Sequence, residues 1–253
     1  MTPAAFKRSI RDLQVWCSSC MVAFSGSDPI GVLIGAKRPS GTLVHRIAVH
    51  PEHLRQGHGR HLLDSLSSKL AILGPPRIVA EVPETLTAAC ELFSGSGYVQ
   101  EAVLTDYFLE QSARSGDAAR VEGLVVIPVT VDDLAANGLL DVLPQVCWQR
   151  SVETLTARKD DLIGLAVASD ERIEAYILYV TSGDETQLLA LRSFVEDEGA
   201  RLTQLLSQLR ARGLRTLRFP KVHQAEVSKE WLTALGFSAG GGHRLYAAKA
   251  KSV

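Results

Sequence analysis

Two glycines one residue apart, Gly57 and Gly59, stand among Arg55, Gln56, His58, Arg60 and His61, just ahead of a leucine-rich run. Lacking Cβ atoms, they let backbone amides crowd against a bulky anion. A helix that begins there turns its unpaired N–H groups and the positive end of its dipole to the same point. These residue types at this spacing make a phosphate cradle. A Walker loop is excluded, because it ends in Gly-Lys-Ser/Thr and this run offers Gly59-Arg60-His61. A dinucleotide fingerprint fits poorly, since its third glycine falls on Leu62 and it expects alternating parallel strands and helices.

The elements around the cradle follow from periodicity. Residues 3–16 read as a helix with Phe6, Ile10, Leu13 and Trp16 on one face. Strands are expected at Cys20–Ser25, Ile30–Lys37 and Thr42–Val49, with turns at 26–29 and at Pro39-Ser-Gly41, so a short meander delivers the chain to the glycines. The next helix shows Leu62, Leu63, Leu66, Leu70 and Leu73, and Gly74-Pro75-Pro76 stops it. A strand at Arg77–Val82, a helix from about Glu84 to Gly95-Ser-Gly97 and a strand at Tyr98–Glu110 complete the first half. Ser112–Arg120 is polar and aperiodic, and reads as a linker.

The remainder repeats the plan. Strands are expected at Leu124–Val129, Ile163–Ala168, Arg172–Val180, Gln187–Ser193 and Thr216–Phe219, with a last one running to about Ala248. Val131–Lys159 reads as two helices, and further helices carry Leu202, Leu205, Leu206 and Leu209, then Trp231. One offset of 139 residues maps Leu63, Leu66 and Leu70 onto Leu202, Leu205 and Leu209, Gly74 onto Gly213, and Gly97-Tyr98 onto Gly236-Phe237. A helix face, its stop and a later helix end in one register argue for a duplicated unit. The same offset puts Glu196 at the place of Gly57 and Glu198 at that of Gly59, with Asp197 between. Carboxylates suit a helix start but repel a diphosphate. The second half is expected to have closed its cradle.

Strand, His50-Pro-Glu, a basic residue, Gly-x-Gly and a Leu-Leu helix together resemble the acetyl-CoA loop of the GNAT acyltransferase superfamily. The run Ala88-Ala-Cys-Glu-Leu-Phe-Ser-Gly-Ser-Gly-Tyr98 resembles that family's C-terminal helix and turn. The resemblance implies an α/β (α+β) fold of two tandem GNAT-like domains, each a mixed, mainly antiparallel twisted sheet flanked by helices. Residues 1–112 would be the acyl-CoA-binding domain, 113–120 the linker, and 121–253 a degenerate domain lacking the glycine loop.

It further implies acetyl-CoA as cosubstrate, with its pyrophosphate on the amides of Arg55, Gln56, Gly57, His58, Gly59 and Arg60. The backbone of Ile47, Ala48 and Val49 would pair with pantetheine as a pseudo-strand. A primary amine would attack the thioester directly in a ternary complex. The family places a base on this strand or the next, which singles out His45, expected to share a face with Leu43, Ile47 and Val49, and secondly Glu81. Three departures stand out. Leu54 replaces the family's usual Arg or Gln, and the first half opens on a helix without the usual first strand. Phe93 occupies the place of the tyrosine that protonates the leaving thiolate, as Leu232 does in the second half. A water, Ser94 or Tyr107 would have to substitute.

Composition narrows the setting. A formal net charge of -1 with no polybasic run points away from nucleic acid and anionic membranes. No apolar stretch is long enough to span a bilayer, and the charged N-terminus is unlike a signal peptide, so a cytoplasmic protein is expected. Cys17-Ser-Ser-Cys20 has half of a zinc-site spacing, but nothing completes a set, and no metal is expected. The expected partner is a small-molecule or peptide amine acceptor, and duplication is compatible with a monomer or a homodimer. Two rival readings stay open. One is a non-catalytic acyl-CoA-binding, sensing or scaffold protein; the other is a cradle for a different phosphorylated ligand.

Overall fold

The structure, a computed structural model, describes residues 3–110, 124–140 and 146–250, without the side chains at positions 4–6, 9 and 73. The linker expected at 113–120, the boundaries at 112 and 121, and the side chains of Phe6 and Leu73 lie outside the described residues.

The first compact unit comprises residues 1–103 and 242–253, and the second comprises 104–241. The division is therefore not linear: the end of the chain belongs to the first unit. That unit begins with α1 (Pro3–Leu13), β1 (Met21–Ser25), β2 (Asp28–Arg38) and β3 (Gly41–Val49). It continues with α2 (His58–Leu73), β4 (Arg77–Pro83), α3 (Thr87–Gly95) and the first half of β5 (Val99–Glu110). The helix α1 ends three residues earlier than its periodicity suggests. Gln14 takes φ 58°, Val15 bridges to Ala36, and Trp16 is left 58% exposed instead of sharing the helix face.

The second unit takes the rest of β5, then β6 (Val125–Val129), α4 (Val131–Ala136) and α5 (Val152–Ala157). Residues 141–145, inside the stretch read as two helices, are outside the described residues. There follow β7 (Ile163–Ala168), β8 (Ile173–Ser182), β9 (Glu185–Ser193), α6 (Ala200–Ala211), β10 (Thr216–His223), α7 (Lys229–Ala234) and the start of β11 (Ser238–Lys249).

In the first unit the strands run β1-β2-β3-β4-β11, antiparallel except for the parallel β3–β4 contact. Leu62, Leu63, Leu66 and Leu70 of α2 bury against Leu33, Val44, Ile78, Ala80 and Val82. In the second unit the order is β5-β10-β9-β8-β7-β6, with only β9–β10 parallel. There Leu202, Leu205, Leu206 and Leu209 of α6 pack on Leu165, Val167, Ile177 and Leu191. Each unit is thus a mixed, mainly antiparallel sheet flanked by helices.

Candidate functional site

The cradle forms where α2 begins. Gly57 caps the helix in the left-handed region (φ 88°, ψ -5°), and a Cβ there would be strained although nothing crowds it. The first intrahelical bond runs from the His61 N–H to the Gly57 carbonyl at 3.0 Å, so the amides of His58, Gly59 and Arg60 precede the helical ladder. Gly59 has a packing reason to be glycine: a Cβ would lie 3.1 Å from Leu92 Cδ2 of α3. Arg55 also takes φ 60°, and its exposed guanidinium donates to Glu91 at 3.1 Å. The rings of His50, His53 and His58 follow one another edge-on, with centroids 6.0 and 5.9 Å apart.

The strand feeding the cradle departs from its neighbour. Between β3 and β4 the ladder consists of Thr42 with Ile78 and Leu43 with Val79, and then stops. The reason is local. Ile34 pairs with Arg46 but Gly35 with Val44, so His45 is an extra residue, a bulge that bends β3. This corrects the expectation that Leu43, His45, Ile47 and Val49 share a face: the core-facing side passes from Val44 to Ile47 across the bulge. His45 is half-buried at that bend. Past it, Ile47, Ala48 and Val49 still pair with Leu33, Val32 and Gly31 of β2, while β4 no longer follows on their other side. Glu81, also half-buried, alternates with Ile78, Ala80 and Val82, which face the core.

Phe93 sits in the core of this unit. It is 2% exposed, edge-on to Tyr98 at 5.2 Å and stacked on Tyr246 at 5.8 Å. Burial, and then the Asp64 carboxylate, push the Tyr98 phenol well above its usual pKa, so it stays protonated. Ser94 is exposed, and its Oγ lies 3.4 Å from the Tyr246 hydroxyl. Tyr107, the other expected substitute, is buried among the core residues of the second unit. Tyr246 was invisible to local reading because 152 residues separate it from Ser94.

The second unit repeats the bend and closes the cradle. Leu178 pairs with Ala190 but Tyr179 with Leu188, so Leu189 is a bulge at the place of His45, and β9 and β10 pair only from Glu185 to Gln187. The start of α6 corrects the expectation drawn from the 139-residue offset. Its cap is Gly199, left-handed at φ 84° like Gly57, so one glycine persists. Val49 to Gly57 spans eight residues, whereas Ser193 to Gly199 spans six; Gly57 to Gly74 spans 17 and Gly199 to Gly213 spans 14. The loop is shorter and the helix starts about one turn later relative to its leucine face.

The closing carboxylate is Asp197 rather than Glu196 or Glu198. It accepts from the Gly199 N–H at 3.1 Å, the Arg201 N–H at 2.8 Å and Arg201 Nη1 at 2.8 Å. Burial alone would raise its pKa, but hydrogen bonds from Arg201 and Gly199 and the Arg201 charge hold it below the usual carboxylate value. An anion therefore occupies this helix start from within.

Fold and site define a class: a tandem α/β protein in which one helix start opens on glycines and the other is filled by its own carboxylate. Residues 3–98 match the profile of the acetyltransferase (GNAT) family. Solved structures extend the likeness over the whole chain. A tandem GNAT protein from the clavulanic acid biosynthesis pathway aligns at TM-score 0.68 and 16% identity, covering 96% of this chain and 87% of its own. A GCN5-related N-acetyltransferase from Sphaerobacter thermophilus aligns at TM-score 0.70 and 12% identity, covering 98% and 86%. Another from Anabaena variabilis aligns at TM-score 0.62 and 11% identity, covering 99% and 67%. No curated protein matches the sequence. Residues 3–98 thus carry the family's sequence pattern, and the fold of the tandem GNAT structures extends over both units. Among the described residues, no helix is long and apolar enough to cross a membrane, and no three His, Cys, Asp or Glu side chains group to hold a metal.

Proposed function

We propose that the first unit binds acetyl-CoA and transfers its acetyl group to a primary amine. One observation carries this reading: a strand that leaves its neighbour after Leu43 leads, through the turn at Pro51–His53, to the helix start capped by Gly57. An extended amide arm can pair along Ile47, Ala48 and Val49 while a diphosphate sits on the amides from Arg55 to Arg60. Attack by a neutral amine forms the C–N bond and breaks the C–S bond. The nitrogen's proton passes to a base, for which His45 at the bulge and Glu81 on β4 are the candidates. The thiolate takes a proton from water.

Without the family tyrosine, the loss of general-acid help costs about 10²–10⁴-fold. A thiol with a pKa near ~8.5 still leaves without it, so turnover is slowed rather than abolished. The buried, stacked Phe93 favours the rival reading of a non-catalytic acyl-CoA binder. Titrating the protein with acetyl-CoA, then following free thiol with a panel of amines, separates the two. The proposal expects one acetyl-CoA bound per first unit and amine-dependent thiol release that falls at least tenfold in His45→Ala or Glu81→Gln. Tight acetyl-CoA binding in a protein that never releases thiol with any amine would favour the binder.

A further inference from the structure

Two cysteines that acetyl transfer leaves unused stand together near the start of the first unit. Cys17-Ser-Ser-Cys20 begins in a 3₁₀ turn over Cys17–Ser19, between α1 and β1. The Cys20 N–H donates to the Cys17 carbonyl at 3.0 Å, and the Ser19 N–H to the Trp16 carbonyl at 2.8 Å. In such a turn, side chains three residues apart lie one above the other. A hydrogen-bonded turn also holds its end Cα atoms within about 7 Å, close to the roughly 4.4–6.8 Å that a disulfide spans. Cys20 already folds back. Its S–H donates at 3.4 Å to the Trp16 carbonyl, the group bonded to the Cys17 nitrogen. Cys17 is exposed, and exposed side chains exchange rotamers readily.

The turn is held before any bond forms. The Trp16 N–H donates to the Gly35 carbonyl and the Lys37 N–H to the Gln14 carbonyl, both at 3.1 Å, and Val15 bridges to Ala36. Ser19 is 1% exposed, and a Cβ at Gly35 would collide with its carbonyl, so a glycine on β2 lets the turn rest on the strand. Folding has therefore already fixed the backbone that a small disulfide ring needs. Gly35 in turn pairs with Val44, next to the His45 bulge. Cys90 and Cys147, by contrast, are buried. Among the described residues, no third His, Cys, Asp or Glu joins the pair to make a metal set. Where thiols are kept reduced, disulfides from pairs of this kind are transient and redox-sensing.

We propose that Cys17 and Cys20 form a redox-active dithiol, a modification site that reacts with small disulfides such as oxidised glutathione. The exposed Cys17, as thiolate, attacks one sulfur of the small disulfide, forming a mixed disulfide and releasing one thiol. Cys20 then gives up its proton and attacks the Cys17 sulfur, closing the internal bond and expelling the second thiol. The protein's dithiol loses two electrons and two protons, and the small disulfide takes them up as its two thiols. The site is independent of whether the first unit transfers acetyl groups.

The test uses the full chain, incubated with oxidised glutathione, alkylated with iodoacetamide and digested with trypsin. Digestion leaves Cys17 and Cys20 in one peptide, Asp12–Lys37, without the other cysteines. That peptide is expected to lose two hydrogens and take no alkyl group, and dithiothreitol should reverse the change. In Cys20→Ser the reaction should stop at one glutathione on Cys17. In Cys17→Ser, altered at an exposed side chain, Cys20 should react at least tenfold more slowly than the unaltered pair. The folded chain should close the bond at least tenfold more favourably than the same chain in urea, because the turn is preformed. A lasting glutathione adduct on Cys17 of the unaltered protein, a bond between two chains, or no reaction at either cysteine would overturn the proposal. So would equal closure in urea, or unslowed reaction of Cys20 in Cys17→Ser.

Discussion

At the scale of single residues, the cradle holds a cation in reserve. Arg55 takes a left-handed backbone in the loop, and its guanidinium is paired with Glu91. The pair is exposed, with side chains 79% and 63% accessible, so it is worth no more than about 1 kcal/mol. A bound diphosphate should win Arg55 over. Glu91→Gln is thus expected to tighten coenzyme A binding by up to about fivefold, an effect that shrinks with added salt. Gly57→Val acts in the opposite direction. A β-branched residue at φ 88° is a genuine outlier, costing about 1–2 kcal/mol, and the loop should relax by withdrawing its amides. Coenzyme A affinity is expected to drop at least tenfold, with little change in far-ultraviolet circular dichroism. These residues were legible in the sequence because the cradle is local: everything from His50 to Leu63 is contiguous. Tyr246, which stacks on Phe93, was not, because a contact across more than half the chain leaves no local pattern.

At the scale of elements, leucine spacing and stop glycines located both helices, but bulges and loop lengths stayed hidden. A bulge adds one residue to one strand, and only the pairing partner reveals it. That is why strict alternation puts His45 on the face of Ile47, which in fact continues Val44. Similarly, the five residues lost between β9 and Gly213 did not disturb the register that follows, so an ungapped offset aligned Glu196 with Gly57. The structure moves the closing role to Asp197 and gives it a pH signature. Its folded pKa is depressed, so its contribution is present above the ordinary carboxylate value, near ~3.9, and is lost as pH falls through the lower folded value. Asp197→Ala removes the cap of α6 and should cost about 0.5–2 kcal/mol at neutral pH. Thermal unfolding at pH 7 is expected to come several degrees earlier in the variant, with the gap closing as both proteins are taken well below pH 4. A constant gap across that range would mean that Asp197 does not act through its charge.

At the scale of the whole molecule, the last strand decides what a functional first unit requires. Its sequence pattern ends at Tyr98, yet the compact unit includes residues 242–253. From His243 to Lys249, β11 pairs residue for residue with Pro83 to Arg77 of β4, the strand that carries Glu81. Tyr246 fills the space under Phe93 and is 1% exposed. Gly242 accepts from the Glu84 N–H at 2.9 Å, and a Cβ on it would meet the Glu84 carboxylate. A fragment of residues 1–115 therefore holds every cradle residue and both candidate bases but leaves β4 with a bare edge and a void beside Phe93. It is expected to be poorly folded and to bind coenzyme A far more weakly than the full chain. Adding a synthetic peptide spanning 242–253, or fusing it after residue 103 through a flexible linker, should restore binding. In the full chain, Tyr246→Ala should cost about 3–5 kcal/mol, the range for emptying a buried aromatic site. Tyr246→Phe should cost much less, since it keeps the buried, stacked ring and loses only the hydroxyl's contacts with Ser94 and Arg244. If the 1–115 fragment folded and bound coenzyme A like the intact protein, the last strand would be packing without consequence. The first unit would then be self-sufficient.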